Sequence, residues 1–319
     1  MPTASGLSIH EACGNSHDPS RSGKPLRDAD QMIGHYANDG ERAPISIFFR
    51  FGYQGFVMSN VLRVGMNDFL GGWNTRRLWL AFAKEDIGDS HKNTMLGPLW
   101  LLINYLTFIA TFGFVMQTGV GNQNYLAYMS VGLLVWFFIL EVITQGVTLF
   151  FREESFIKGT PLPLSTYVFR LTMQSVIRNS YALLGCLGML LLTGVYPSVS
   201  WLWSVLGILV VIIAAPAVIT VFAFLGAYFP DSHYLVSNAM RVGMFLTPVF
   251  WTYNGSHGVR HVFYWYNPFT YFLEMVRIPI IDGSMPLKAL YLCVSICVLA
   301  WILALFLMGR YRKKVVFVL

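Results

Sequence analysis

Charge is what this sequence has least of. Asp, Glu, Lys and Arg make up 12% of its 319 residues, where a soluble domain carries about a quarter. The shortfall is uneven: no charged residue occurs at positions 93–140, 179–230, 242–259 or 289–309. About 20 apolar residues take a helix across a bilayer, so gaps of this length exclude a water-soluble globular fold. They point to an all-α polytopic membrane protein. Cysteine is scarce as well, and Cys13, Cys186, Cys293 and Cys297 show neither disulfide nor zinc spacing. Cys293 and Cys297 lie one turn apart in an apolar run, as small hydrophobes do. The N-terminal stretch MPTASGLSIHEACGNSHDPSRSGK has no apolar core, which excludes a cleaved signal peptide. A disordered cytoplasmic extension is expected over 1–55.

What is present divides into six expected spans. They cover 97–116, 125–151, 167–193, 201–228, a fifth that follows FPDSHY and ends near Tyr253, and 287–309. Together they make a six-helix transmembrane domain over 95–319. Basic residues flank them on alternate sides: Arg76, Arg77, Lys84 and Lys92 before the first, Arg152 and Lys158 between the second and third, and Arg310, Arg312, Lys313 and Lys314 after the last. The positive-inside rule then places both termini in the cytoplasm. Between the fifth and sixth spans Asn267-Pro268 opens a short helix, with Asn as N-cap and Pro in the first turn. Its length reads as re-entrant or interfacial, and Glu274 and Arg277 are spaced to pair at i,i+3.

Ahead of the first span, an amphipathic interface segment is expected over 56–94. Over 73–87 its apolar side is Leu78, Trp79, Phe82 and Ala83, and its wet side Arg76, Arg77, Lys84 and Glu85; such a helix lies along a leaflet. A weaker candidate at 56–69 has a polar stripe of Ser59, Asn60, Arg63 and Asn67. MLGPLW, at 95–100, marks the joint where a helix on the membrane turns to cross it, since Pro is tolerated in a first helical turn.

Chemistry-bearing residues are few. SGKP at 22–25 lacks the hydroxyl residue and strand–loop–helix setting of a phosphate loop. His257 and His261 are one turn apart, but Gly258 interrupts them and no third ligand is near, so no metal site is assigned. Glu141 and Arg178 fall at similar depth in the second and third spans. Either they form an ion pair locking the two spans or, with Tyr128 and Trp136, they line a route for a polar substrate. The many aromatics at span ends fit interfacial belts, although the same ring faces stack on sugars.

Four segments in this order carry a resemblance: LGPLW at 96–100; FIKGTPLPLSTYVFR at 156–170 with RN at 178–179; FLTPVFW at 245–251; and YNPFTYFLEMVRIPIIDG at 266–283. They resemble the membrane subunit of ABC-2 polysaccharide exporters, the permeases for O-antigen and related glycans. The resemblance covers roughly 73 to the C-terminus. It implies that two copies pair with two separate ATPase chains, which hold ATP and Mg, and that a lipid-linked glycan passes between them across the bacterial inner membrane. The chain itself needs no cofactor, is not an enzyme, and binds no nucleic acid.

Residue roles follow from the same resemblance. The loop at 153–163 is the coupling helix, with Glu153, Glu154, Phe156, Ile157, Lys158 and Pro161 on the ATPase. Arg76, Arg77, Lys84, His91 and Lys92 are placed near the lipid headgroup, and Asn267, Pro268, Tyr271, Glu274 and Arg277 in the extracytoplasmic gate. One departure stands out: where the family is rich in Arg and Tyr, this chain has KEDIGDSHKN, with Glu85, Asp86 and Asp89. The alternative is an ABC-2 permease for a lipid or drug-like amphiphile. A membrane-embedded transferase would need clustered acids or histidines, and a secondary transporter repeated halves.

Overall fold

The structure, a computed structural model, describes residues 45–90, 92, 94–117, 124–253, 255 and 258–319. Most of the expected extension lies outside the described residues, as do His91 and His257. The chain divides into two units, Met1–Gln54 and Gly55–Leu319, and the packed helices belong to the second. Every regular element among the described residues is a helix: α1 (Ile45–Asn74), α2 (Arg76–Ser90), α3 (Leu99–Gln117), α4 (Asn124–Arg152), α5 (Glu154–Gly159), α6 (Leu164–Leu192), α7 (Trp201–Tyr228), α8 (Ser232–Leu246), α9 (Val259–Tyr266), α10 (Pro268–Ile281) and α11 (Leu287–Val318).

Helices α4, α6, α7 and α11 are each long and apolar enough to cross a membrane. Helix α3 is a shorter apolar helix. Helix α8, expected to reach Tyr253, stops at Leu246. The residue before a proline is pushed out of the helical region, and Thr247, ahead of Pro248, is extended at φ −83° and ψ 144°. At the start of α3, Gly97 has φ +54°, a left-handed conformation that glycine adopts without penalty. The chain turns there between α2 and α3, with Pro98 immediately before the helix rather than inside it.

The core is built around α4, the most buried of the four long helices. Small residues let α7 run close beside it. A Cβ on Gly226 would sit 1.8 Å from the Val147 carbonyl oxygen, and one on Gly146 3.3 Å from Ile219 Cα. In a membrane, where lipid tails are as apolar as leucine, such close backbone approach is a main source of helix association.

Helix α1 is held by the same device. Gly65 and Gly309 let α1 and α11 touch: an added Cβ would lie 2.2 Å from the Leu305 oxygen in the first case and 1.9 Å from the Val61 oxygen in the second. One helical turn on, the buried Asp68 carboxylate accepts from the Ser165 amide at 3.1 Å and from Arg312 Nη1 at 2.9 Å, and the Ser165 hydroxyl donates to the Asp68 carbonyl at 2.6 Å. Arg312 can reach because α11 continues past the apolar run, through RYRKK, to Val318. The stripe Asn60, Arg63 and Asn67 is indeed exposed, but the opposite face positions the helix.

Replacing Gly309 by Val forces backbone apart from backbone, and overpacking of this kind costs about 1–3 kcal/mol. Thermal unfolding of the detergent-solubilised chain should begin several degrees lower for Gly309→Val; an unshifted transition would mean that α1 does not pack against α11.

Candidate functional site

Polar side chains gather at the two ends of α4. At its C-terminal end three segments converge: α2, α5 and α6. The chain leaves α1 at Thr75, whose hydroxyl donates to the Gly72 carbonyl at 2.8 Å, and Trp79 Nε1 donates to the same oxygen at 3.1 Å. Helix α2 then buries Trp79, Ala83 and Ile87, a stripe at i, i+4 and i+8. Leu78, expected on that side, is exposed. Trp79 stacks on Phe169 of α6, which brings Asp86 against Arg170.

Arg170 is bound on three sides. Its Nε and Nη2 donate to the two oxygens of Asp86, each at 2.7 Å, and its Nη1 donates to Glu153 Oε2 at 2.9 Å. Gln174 also donates to Asp86, Arg152 Nε lies 3.4 Å from Glu153 Oε1, and the Phe82 ring lies against the guanidinium. A fork-to-fork pair of this type is among the strongest polar contacts available. Burial alone would raise the Asp86 carboxyl, but the Arg170 fork, Gln174 and Arg152 together hold it below its ordinary 3.8.

This arrangement corrects one expectation. Glu153 is not on an outer surface: it is 5% exposed, with one oxygen on the part-buried Arg170 and the other on the exposed Arg152. Ile157 is buried too. The outward face of α5 is Phe156, 54% exposed, with Lys158 paired to Glu154 at 2.7 Å and Pro161 exposed beyond. On α2, Arg76, Arg77 and Lys84 are exposed, as is Lys92 after it.

Midway along the bundle Arg178 Nη1 donates to Glu141 Oε1 at 2.8 Å, and the Ser175 hydroxyl donates to the same oxygen at 3.2 Å. The ion pair exists and locks α4 to α6. Trp136, expected beside a route, is wholly buried against Phe269.

A second polar cluster surrounds residues 247–251, at the other end of α4. Arg277, 3% exposed, donates from Nη1 to the Pro248 carbonyl at 2.9 Å and lies over the Tyr128 ring with Cζ 3.6 Å from its centroid. Tyr128 donates to the Pro248 and Trp251 carbonyls and Tyr125 to that of Phe250. Asn267 caps α10 through the Phe269 amide at 3.0 Å and donates to Thr247 Oγ1 at 2.8 Å, with Pro268 following as expected. The expected Glu274–Arg277 pair is absent: Glu274 accepts from the Tyr264 hydroxyl, and Arg277 leaves α10 in another direction, beside Gly132. Tyr271 donates to the Trp265 carbonyl at 2.8 Å. Among the described residues, no three His, Cys, Asp or Glu side chains group as metal ligands.

Residues 77–281, which include both clusters, match the ABC-2 type transporter family over more than half of the chain. The chain belongs to that family. It is similar to two O-antigen export system permease proteins, RfbA, of Klebsiella pneumoniae. One is 24% identical over 214 residues, 65% of this chain and 82% of the relative; the other is 24% identical over 197 residues, 60% and 75%. This ABC-2 permease is thus a multi-pass membrane protein. The Asp68–Arg312 contact lies outside the matched residues.

Sequence reasoning singled out Asp86 only as a departure and did not pair it with Arg170, and it missed Asp68 and the carbonyls of 248–251. A signal existed for Asp68, since Gly65, Asp68, Phe69 and Gly72 share one helical face.

Two outcomes are expected at the Arg170 cluster. Arg170→Ala strands Glu153 and Asp86 and should cost about 3 kcal/mol, whereas Arg170→Lys keeps the charge without the fork and should fall between; chemical denaturation reads both. A folded-state pKa below the unfolded one adds stability that is whole above the unfolded value and lost as pH falls through the folded one. The stability gap between wild type and Asp86→Asn should therefore hold from about pH 7 to about pH 5 and shrink below about pH 4. A gap that shrinks between about pH 7 and about pH 5 would show that Asp86 is not held ionised by this network.

Proposed function

We propose that this chain is the membrane subunit of an ATP-driven exporter carrying a lipid-linked polysaccharide, an O-antigen or related cell-surface glycan, across the inner membrane. The observation that carries the reading is α5. This six-residue helix joins two long ones and is anchored from within by Glu153 and Ile157, while Phe156, Lys158 and Pro161 face outward. An exposed aromatic on a rigid mount is the form a docking anchor takes. The partner it fits is a separate ATPase chain, on which ATP and Mg are bound. Similarity to the two O-antigen export permeases supports a glycan as cargo.

Six crossings are assigned to α3, α4, α6, α7, α8 and α11, with α9 and α10 re-entrant between the last two and both termini cytoplasmic. Support comes from the basic residues beside α2, α5 and the end of α11. Two copies of the chain pair with two ATPase chains, and the glycan passes between the permeases. Arg76, Arg77 and Lys84, exposed on α2, face the lipid headgroup. Glu141 and Arg178, about a quarter exposed at 22% and 24%, remain candidates for the path; Trp136, with no exposed surface, does not.

The purified chain should bring down an ATPase. Phe156→Asp should lower the co-purified amount about tenfold or more, as loss of a central interface anchor does, with thermal unfolding unchanged. Depletion of the chain should leave a lipid-linked glycan in the cytoplasm. A chain that moves its substrate without ATP would sink the reading, and retention of a lipid or small amphiphile instead would replace the cargo.

A further inference from the structure

Near the second cluster, but on a different face of α10 from Arg277, α9, α10 and the beginning of α11 enclose an open cleft of about 620 Å³. That volume lies within the range of small-molecule sites, about 300–1,000 Å³. Its walls combine aromatic rings with a few polar groups: Tyr264 and Trp265 from α9, Tyr271 and Glu274 from α10, Lys288 and Tyr291 from α11. Tyr271 and Glu274 of α10 line it opposite Lys288 and Tyr291 of α11.

The cleft is braced. Tyr271 donates to the Trp265 carbonyl at 2.8 Å, tying α9 to α10. The Tyr264 hydroxyl donates to Glu274 Oε1, and its ring stacks on Tyr253. That leaves Glu274 Oε2 as an acceptor with no hydrogen bond among the described residues. Trp265 and Tyr291 are 43% and 76% exposed. Ring faces carry negative charge density and favour the weakly positive C–H bonds of a partner, while a carboxylate only accepts and so selects hydroxyl donors. One face of C–H bonds and a rim of hydroxyls describes a sugar ring.

We infer that this cleft binds a sugar residue of the exported glycan as it leaves the membrane domain. The inference rests on the exporter reading above. A phosphate headgroup fits less well, because Glu274 repels an anion and Lys288 is the one cation among the described residues that line the cleft. An acyl chain would strip water from both charges with nothing to replace it.

Benzoylphenylalanine in place of Tyr291, in the full chain with its ATPase in exporting cells, tests the contact. Irradiation should give an adduct that stains for carbohydrate, reduced about tenfold by Glu274→Ala. The same cross-linker in place of Leu209, exposed on α7, should give none. An adduct holding only phospholipid, or no carbohydrate adduct, would overturn the cleft. As a second measurement, Trp265→Ala combined with Tyr291→Ala should slow arrival of glycan at the surface several-fold with ATPase co-purification unchanged, and a normal rate would also overturn it. If depletion of the chain retains no glycan, the exporter reading itself falls; if glycan is retained but Tyr291 never meets it, only the cleft does.

Discussion

Arg170 is the contact on which the end of the molecule formed by α2, α5 and α6 depends. A guanidinium presents its donors in one rigid plane, and here that plane faces Asp86 of α2 along one edge and Glu153, the residue before α5, along another. The network is closed: both oxygens of Asp86 and both oxygens of Glu153 are engaged. Buried charges are tolerated only while paired. Helix α2 therefore cannot slide along α6, nor α5 tilt away, without stranding a charge, and a push on Phe156 is passed to α6 rather than absorbed locally.

At the far end of α4 the balance differs. Arg277 is as deeply buried as any charge among the described residues, yet it has one hydrogen bond and one ring face, and its Nε and Nη2 have no hydrogen-bond partner among them. A partly satisfied polar group in low dielectric is costly, so any rearrangement that offers Arg277 more acceptors is favoured. Arg170 has nothing comparable to gain. One end of the bundle is closed by a fully paired arginine, and the other holds an arginine with unused donors.

How much of this was legible in the sequence divides along a physical line. Long gaps in charge located the apolar helices, because burial in hydrocarbon acts on every residue of a span. Asn267-Pro268 announced the start of α10, because capping is local. Partners were a different matter. Glu153 looked like a surface charge because it sits in a charged loop, and Asp86 looked like a departure from the family, yet the two share one arginine. Glu274 and Arg277 had the right spacing to pair, but spacing places two side chains on neighbouring faces and does not say which tertiary partner outbids the other. Those choices depend on what packs opposite, and no local pattern contains it.

The tyrosines at the start of α4 make the same point from the backbone side. Tyr125 and Tyr128 lie where aromatics fit an interfacial belt, and Tyr128 was also a candidate for a polar route. Pro248 ends α8 early, however, and a buried helix break leaves backbone carbonyls that need donors. The structure supplies donors for them: Arg277 for Pro248, Tyr125 for Phe250, and the single Tyr128 hydroxyl shared between Pro248 and Trp251. Helix break, tyrosine pair and buried arginine are thus one solution to a single requirement. Removing Pro248 would let α8 continue and leave Arg277 with no hydrogen-bond acceptor, so the proline and the arginine have to be understood together.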